Sequence, residues 1–202
     1  FKLYKVSAEQ GYSKAQFNLG EMYREGGFVV RDFKKALKWY RLSAEQGLAA
    51  AQCNLGLMYE EGQGVPQDYK EAIRLYSIAA EQGYALAASN LGLIYEEGQG
   101  VIQNNEEAIK WYRIAVEQGL AGAQSKLGLM YENGKGVMQD YKEAVRLYRQ
   151  SANQGNVLGQ KYLGVMYVLG QGVSKNYEEA HMWLNLCGSQ GYKQCLKEIK
   201  TL

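Results

Sequence analysis

The sequence predicts an all-α chain of repeated antiparallel helix pairs, and three regularities carry that expectation. Leu-Gly recurs at Leu19-Gly20, Leu55-Gly56, Leu91-Gly92, Leu127-Gly128 and Leu163-Gly164, 36 residues apart each time, with a Tyr three residues after every Gly. Gln-Gly recurs on the same period, at Gln10-Gly11, Gln46-Gly47, Gln82-Gly83, Gln118-Gly119, Gln154-Gly155 and Gln190-Gly191. Between these marks small and apolar residues return at helical spacing, as at Ala51, Leu55 and Tyr59. A fixed period of this size indicates stacked supersecondary units, each packing on its neighbours.

In chain order, residues 1–11 read as a helix that ends at Gln10-Gly11, the second half of a repeat whose first half is missing. With Phe1 in place of an initiator Met, the chain reads as a fragment, which leaves its localisation open. Five full repeats follow, 12–47, 48–83, 84–119, 120–155 and 156–191, and 192–202 begins a further first-type helix. This makes about twelve helices in one repeat domain over 1–202. In the second full repeat the helices span approximately Ala49–Glu61 and Tyr69–Gln82, and Gly62-Gln63-Gly64-Val65-Pro66-Gln67-Asp68 connects them. Gly just past an amphipathic run is a left-handed helix stop. Ala51, Leu55 and Tyr59 share one face, Gly56 beside them admits a close second helix, and Ala72, Tyr76 and Ala80 form the opposing face.

Asp68 is placed to cap the second helix while Glu71 reaches back, a capping box. Asn104 with Glu107, Asp140 with Glu143 and Asn176 with Glu179 repeat the arrangement. In the first repeat Lys35 follows Asp32 and Phe28 replaces the second loop Gly, so a different loop conformation is expected. The last full repeat drifts, with Gly159 for Ala, Leu184 for Tyr, and Val168-Leu169 where the others are acidic or polar.

The balance of 23 basic and 21 acidic residues, net +2, contains no like-charge run that would form a nucleic-acid arm or a polybasic membrane patch. No apolar stretch approaches the ~18 residues of a membrane span. Nucleic acid and membrane insertion are therefore not expected. Three cysteines do not describe a disulfide framework. Reduced thiols are expected, with Cys187 and Cys195, eight residues apart across a helix–turn–helix junction, as the candidate bridge.

The pattern Ala-x3-Leu-Gly-x2-Tyr-x2-Gly-x-Gly-Val-x2-Asp-x3-Ala-x2-(Trp/Leu)-Tyr-x3-Ala-x-Gln-Gly, visible from Ala51 to Gly83, resembles the Sel-1-like repeat, a relative of the tetratricopeptide repeat. The resemblance covers essentially the whole chain. It implies a right-handed superhelix of helix pairs, a solenoid, acting as a scaffold or adaptor for other proteins. His181-Met182-Trp183-Leu184-Asn185-Leu186 looks like the closing repeats of bacterial members.

Catalytic chemistry is not spelled. The single His, His181, occupies a slot filled elsewhere by Leu37, Ile73, Ile109 and Val145, and reads as a buried or half-buried helix residue with a hydrogen-bond partner. No zinc set, nucleophile–base pair or cofactor motif can be assembled. Gly62-x-Gly64 follows a helix and lacks the lysine of a phosphate loop. The seventeen tyrosines fall largely in repeat slots and read as core.

Binding residues are expected where the helix pair does not use the side chain. If first helices line the concave side, as the resemblance implies, one slot reads Glu21, Leu57, Leu93, Leu129, Val165, an apolar floor over four repeats. The neighbouring slot reads Asn18, Asn54, Asn90, Lys126, Tyr162. Its amides are suited either to a bound peptide backbone, as in tetratricopeptide modules, or to ties between neighbouring first helices. Glu60, Glu61, Glu96, Glu97 and Glu132 stand at helix C-termini, where the macrodipole disfavours them. Glu61 and Glu97 are the candidate acidic rim for a basic amphipathic segment.

The reading is a non-enzymatic protein-interaction scaffold of unidentified partner. Two alternatives stand beside it. One is a β-lactam-binding or cell-wall activity, as in a cysteine-rich branch of the family that carries a Cys pair in nearly every repeat. The other is end-to-end self-association through the apolar residues of the half repeats, such as Leu3, Leu196 and Ile199.

Overall fold

The computed structural model describes residues 1–27 and 29–199. They form twelve α-helices in two units, Phe1–Ile102 and Gln103–Leu202. The first unit holds α1 (Lys2–Glu9), α2 (Ser13–Glu25), α3 (Phe33–Glu45), α4 (Ala49–Glu61), α5 (Tyr69–Glu81) and α6 (Ala85–Glu97). The second holds α7 (Asn105–Glu117), α8 (Ala121–Asn133), α9 (Tyr141–Asn153), α10 (Val157–Leu169), α11 (Tyr177–Ser189) and α12 (Lys193–Ile199). Within each unit successive helices pack antiparallel through α2–α3, α4–α5, α8–α9 and α10–α11.

The second-type helices α3, α5, α7, α9 and α11 each start on a side-chain cap. Asp68 Oδ1 accepts the N–H groups of Lys70 and Glu71 at 3.0 and 3.1 Å, and Asp140 does the same for Lys142 and Glu143. The reciprocal half of the expected capping box is not made. The Asp68 N–H is already donated to the Tyr59 carbonyl at 2.9 Å, and that of Asp140 to Tyr131 at 3.0 Å. With the backbone donor taken, Glu71 and Glu143 turn outward and hold Arg74 and Arg146 in bidentate pairs. In the first repeat Gly26 leaves the left-handed region in ψ (−159°), whereas Gly62, Gly134 and Gly170 occupy it. The expectation attached to Phe28 lies outside the described residues, as do the side chains of Leu196 and Ile199.

The helix pairs close on one crossing. Tyr40, Tyr76 and Tyr148 are fully buried, and their rings pack directly against Gly20, Gly56 and Gly128. A Cβ on Gly56 would stand 2.9 Å from the Tyr76 ring, and one on Gly128 2.6 Å from Tyr148. At the far end of each ring the hydroxyl donates to an acid on the first helix: Tyr76 to Glu60 at 2.6 Å, Tyr148 to Glu132 at 2.5 Å, and Tyr40 to Glu21. Burial, reinforced by the bonded carboxylate, drives the Tyr76 and Tyr148 hydroxyls far above the ordinary phenol range, so they remain donors. In the last repeat Leu184 replaces the tyrosine and Val168 the acid, and the two pack together. Donor and acceptor have been lost as a pair, leaving neither buried and unsatisfied.

Consecutive repeats are tied by buried amides and by the loop. Gln52 donates to the Ala44 carbonyl of the preceding helix at 3.4 Å and accepts from Gln82 at 2.7 Å. Gln16 makes the same two bonds, to Ala8 and from Gln46. Ala88 stands at this slot in the third repeat. The second loop glycine, Gly64, lies against the first turn of α3, where a Cβ would meet the Phe33 carbonyl at 2.8 Å. Its role is close backbone approach between repeats.

Two expectations are corrected. His181 is exposed, though hydrogen-bonded to Asn185 at 2.9 Å. Its counterpart Val145 is covered by Val173 of the following loop, and one period further on no described residue covers His181. The default of reduced thiols does not hold at Cys187 and Cys195, the pair named as the candidate bridge. Instead the turn at Gln190-Gly191 folds α12 back on α11, and Cys187 and Cys195, both buried, are joined by a disulfide with their Cα atoms 6.0 Å apart. Cys53 is free and buried.

Two outcomes test this packing. Gly128→Ala forces a methyl into the Tyr148 ring and is expected to destabilise the chain by about 1–3 kcal/mol, read as a fall in denaturant midpoint. Glu60 has its pKa raised, chiefly by burial, with Glu61 and Glu97 adding to it and the Tyr76 hydroxyl opposing. As pH rises the unfolded chain therefore loses this proton first, so the stability present below the ordinary carboxylate range is lost as pH passes through the folded-state value. Glu60→Gln keeps an acceptor for Tyr76 without the charge. It is expected to melt with wild type near pH 4 and to gain on it as pH is raised toward about 7; parallel melting curves across that range would contradict the assignment.

Candidate partner-binding face

The first-type helices carry every residue of the sequence-predicted face. In the first unit Leu57 and Leu93 are half-buried, each one turn beyond Asn54 and Asn90 on the same side of α4 and α6. The helix pair does not bury these leucines, since Leu55, Met58, Leu91 and Ile94 fill the core beside them. In the second unit Leu129 and Val165 are likewise half-buried, next to Lys126 and Tyr162. Glu21, in the leucine slot of the first repeat, is instead part of a polar cluster. It accepts from Tyr40 and from Arg24 at 3.2 Å, and Arg24 stands where later repeats have the tyrosine-binding acid.

The amide slot has a structural duty. Asn54 Nδ2 donates to Glu21 and lies 3.5 Å from the Tyr40 hydroxyl. Asn90 Nδ2 lies 3.9 Å from Cys53 Sγ and hydrogen-bonds Tyr76. Each amide thus reaches back to the tyrosine of the preceding repeat, and its nitrogen is used there. Tyr162 covers Tyr148 in the corresponding place, ring centroids 5.1 Å apart, with Lys161 Nζ 5.5 Å above its own ring. Asn18 lies beside Tyr4 in an open recess between α1 and α2.

Glu61 and Glu97 are exposed, and each accepts from the glutamine two residues on, Gln63 and Gln99. The acids that hold the fold are Glu60 and Glu132, which occupy the slot one residue before the rim position. The signal for them was in the period, since each lies 16 residues before the tyrosine it binds. A second feature escaped sequence reasoning. The residue after the loop valine projects into solvent, with Val30 89%, Ile102 92% and Met138 89% exposed.

The remaining groups offer little reactivity. Burial, with Glu60 nearby, pushes the Cys53 thiol up to about 12, where it is neither nucleophile nor ligand at neutral pH. Among the described residues no group of three or more His, Cys, Asp or Glu is arranged to hold a metal, and no helix is long and apolar enough to cross a membrane. In a cavity of about 350 Å³ lined by Arg41, Glu45, Tyr59, Glu71 and Arg74, both arginines are already engaged, Arg41 with Tyr59 at 2.9 Å and Arg74 with Glu71.

The Sel1 repeat model matches residues 13–48, 49–84, 85–120, 121–156 and 157–192. Among solved structures the chain is similar to c5321, a protective antigen of uropathogenic Escherichia coli displaying an SLR fold, at 37% identity and TM-score 0.89 over 97% of this chain and 42% of that one. It therefore spans under half the length of that relative. It is also similar to a Sel1 repeat protein from Oxalobacter formigenes, at 38% identity and TM-score 0.89, covering 93% of this chain and 77% of the other. The immunity protein Pa5087 from Pseudomonas aeruginosa matches at 25% identity and TM-score 0.64, over 96% and 72%. No curated protein matches in sequence. The Sel1 repeat is generally a non-catalytic scaffold, commonly used for protein–protein interaction. Five matched repeats from residue 13 to 192, on helix pairs closed by the Leu-Gly crossing, establish that this chain belongs to the Sel1 repeat family.

Proposed function

We propose that the chain is a non-enzymatic scaffold that binds a partner protein or peptide on the face of its first-type helices. The observation that carries the reading is the set of half-buried aliphatic side chains, Leu57 and Leu93 in one unit and Leu129 and Val165 in the other, on a face where neighbouring core positions are already filled. Apolar side chains left over by the core, beside polar groups, supply affinity with orientation. Because the Asn54 and Asn90 nitrogens are tied to the preceding repeat, these residues offer a partner their carbonyl oxygens, which accept from a peptide N–H. Asn18 in the first unit, and Lys126 and Tyr162 in the second, take the same slot with different chemistry. Glu61 and Glu97 form an acidic rim that favours a basic segment, at an energy that salt would largely screen. The β-lactam alternative rests on a cysteine pair in nearly every repeat; among the described residues one pair is joined.

The test compares partner capture by the wild-type chain with capture by Leu93→Glu/Leu129→Glu, with circular dichroism confirming that the variant remains helical. A protein retained by wild type and lost by at least about tenfold on the variant is expected, since two buried charges cost more than ~1.4 kcal/mol. Equal capture by both would remove the binding function from this face.

A further inference from the structure

The exposed face of α9 departs from its counterparts in the earlier repeats at positions on which the helix crossing makes no demand. Lys142, Arg146, Arg149, Gln150 and Asn153 are all exposed and follow one another at helical spacing, so they share one side of the helix. With Gly172 and Val173 of the α10–α11 loop they line an open recess of about 420 Å³, floored by the buried Val145. Every charged residue in that lining is a cation. On the 36-residue period the slots of Lys142, Arg146, Arg149 and Asn153 read Lys34, Lys38, Arg41, Glu45 on α3, Lys70, Arg74, Ser77, Glu81 on α5, and Glu106, Lys110, Arg113, Glu117 on α7. Each earlier helix thus closes the row with an acid where α9 has Asn153. Leu42, Ile78 and Ile114 likewise give way to Gln150. None of these changes touches the crossing, which keeps Gly128, Tyr148 and Glu132.

Two of the three cations are held in position by the protein itself. Arg146 donates through Nε and Nη2 to Glu143 at 2.8 and 2.6 Å, and Arg149 Nη2 donates to the Tyr167 hydroxyl at 2.8 Å. A guanidinium carries five N–H donors, so each arginine keeps further donors for a carboxylate while its rotamer is fixed. Even with Glu143 set against Arg146, Lys142 and Arg149 leave the face with excess positive charge. In the recess beside Arg41 and Arg74, by contrast, Glu45 and Glu71 belong to the lining. From Lys142 to Asn153 the groups extend over about 16 Å of helix. That is too long for one small anion and equals about five residues of extended chain. Successive cations rise by about 6 and 4.5 Å along the helix, close to the ~6.6 Å between alternate side chains of an extended strand. We propose that this face of α9, with the loop at Gly172 and Val173, docks an acidic peptide segment of a partner protein, bound extended along the helix with carboxylates at alternate positions. Its carboxylates meet Lys142, Arg146 and Arg149, and the Gln150 and Asn153 amides bond its backbone. The surface shares no residue with the leucine face and takes a partner segment of the opposite charge, so either site can fail without the other.

Fluorescence anisotropy of a fluorescein-labelled Glu-Thr-Glu-Thr-Glu peptide, titrated with the chain at low ionic strength, tests the assignment. Lys142→Gln/Arg149→Gln is expected to bind the peptide about tenfold more weakly than wild type, since two charge-assisted contacts are lost. Asn153→Glu restores the acid of the other repeats and is expected to weaken binding in the same direction. Lys35→Gln/Lys38→Gln removes the same net charge from α3 and is expected to change affinity by less than about twofold. Circular dichroism checks that each variant remains helical. Absence of binding by wild type, or equal loss in the two double variants, would overturn the proposal, the latter because it would reduce the effect to net charge. Inorganic phosphate added at matched ionic strength supplies the last arm. The peptide is expected to stay bound, and its complete displacement would assign the recess to a single small anion and overturn the peptide reading.

Discussion

The structure depends on one steric constraint, a bare backbone under an aromatic ring. At Gly56 and Gly128 the first helix presents no side chain, and the second helix lays Tyr76 or Tyr148 into the space. Small residues flanking the ring, Ala72 and Ala80 on α5 and Ala144 and Ala152 on α9, are all buried and let the helices approach over their length. Close approach then creates an electrostatic requirement, because the tyrosine hydroxyl ends inside the packed interface, where an unpaired donor costs about 1–3 kcal/mol. A glutamate one turn beyond the glycine meets it. The acid near the helix C-terminus, unfavourable to the macrodipole taken alone, is explained by this partner.

The variant repeats behave as this constraint demands. Where the ring is aliphatic, at Leu184, the acid is Val168. Where Arg24 occupies the acid slot, the carboxylate moves back one turn to Glu21, and the arginine bonds both Glu21 and Tyr40. That displacement puts Glu21 in the slot that is Leu57 and Leu93 further along the same unit. The aliphatic side chains of that slot in the first unit therefore begin at the second full repeat, with the cluster of Glu21, Arg24 and Tyr40 in the first.

Most of the fold was legible because repetition is read without knowing any contact. The period, the glycine stops and the paired small residues placed the helices to within a residue, as at Ala49–Glu61, and put Ala51, Leu55 and Tyr76 in the core. Competition for single atoms was not legible. The capping box at Asp68 and Glu71 looked complete in sequence, yet the Asp68 N–H goes to Tyr59 because the connecting loop brings that carbonyl closer. His181 was assigned the environment of its counterparts, and its exposure depends on the covering residue that the next repeat's loop does or does not provide. The amide slot was legible as two alternatives, and Asn54 and Asn90 take up the tie between helices with their nitrogens.

That division of labour limits what a scaffold of this kind can vary. Ring, glycine and acid form a closed set, in which changing one member strains or leaves unsatisfied another, so on the proposed reading partner choice is written elsewhere. The slots free to change are those seen to change: asparagine, lysine and tyrosine at 54, 126 and 162, and glutamate, leucine and valine at 21, 57 and 165. Asn54 contacts the frame through Glu21 and Tyr162 through Tyr148, so on the proposed reading a partner would meet side chains whose rotamers are already held. Binding to such a surface loses little side-chain entropy. Rigidity imposed by the crossing is thereby transmitted one side chain outward, and the packing rule that builds each repeat also pre-organises the face it leaves open.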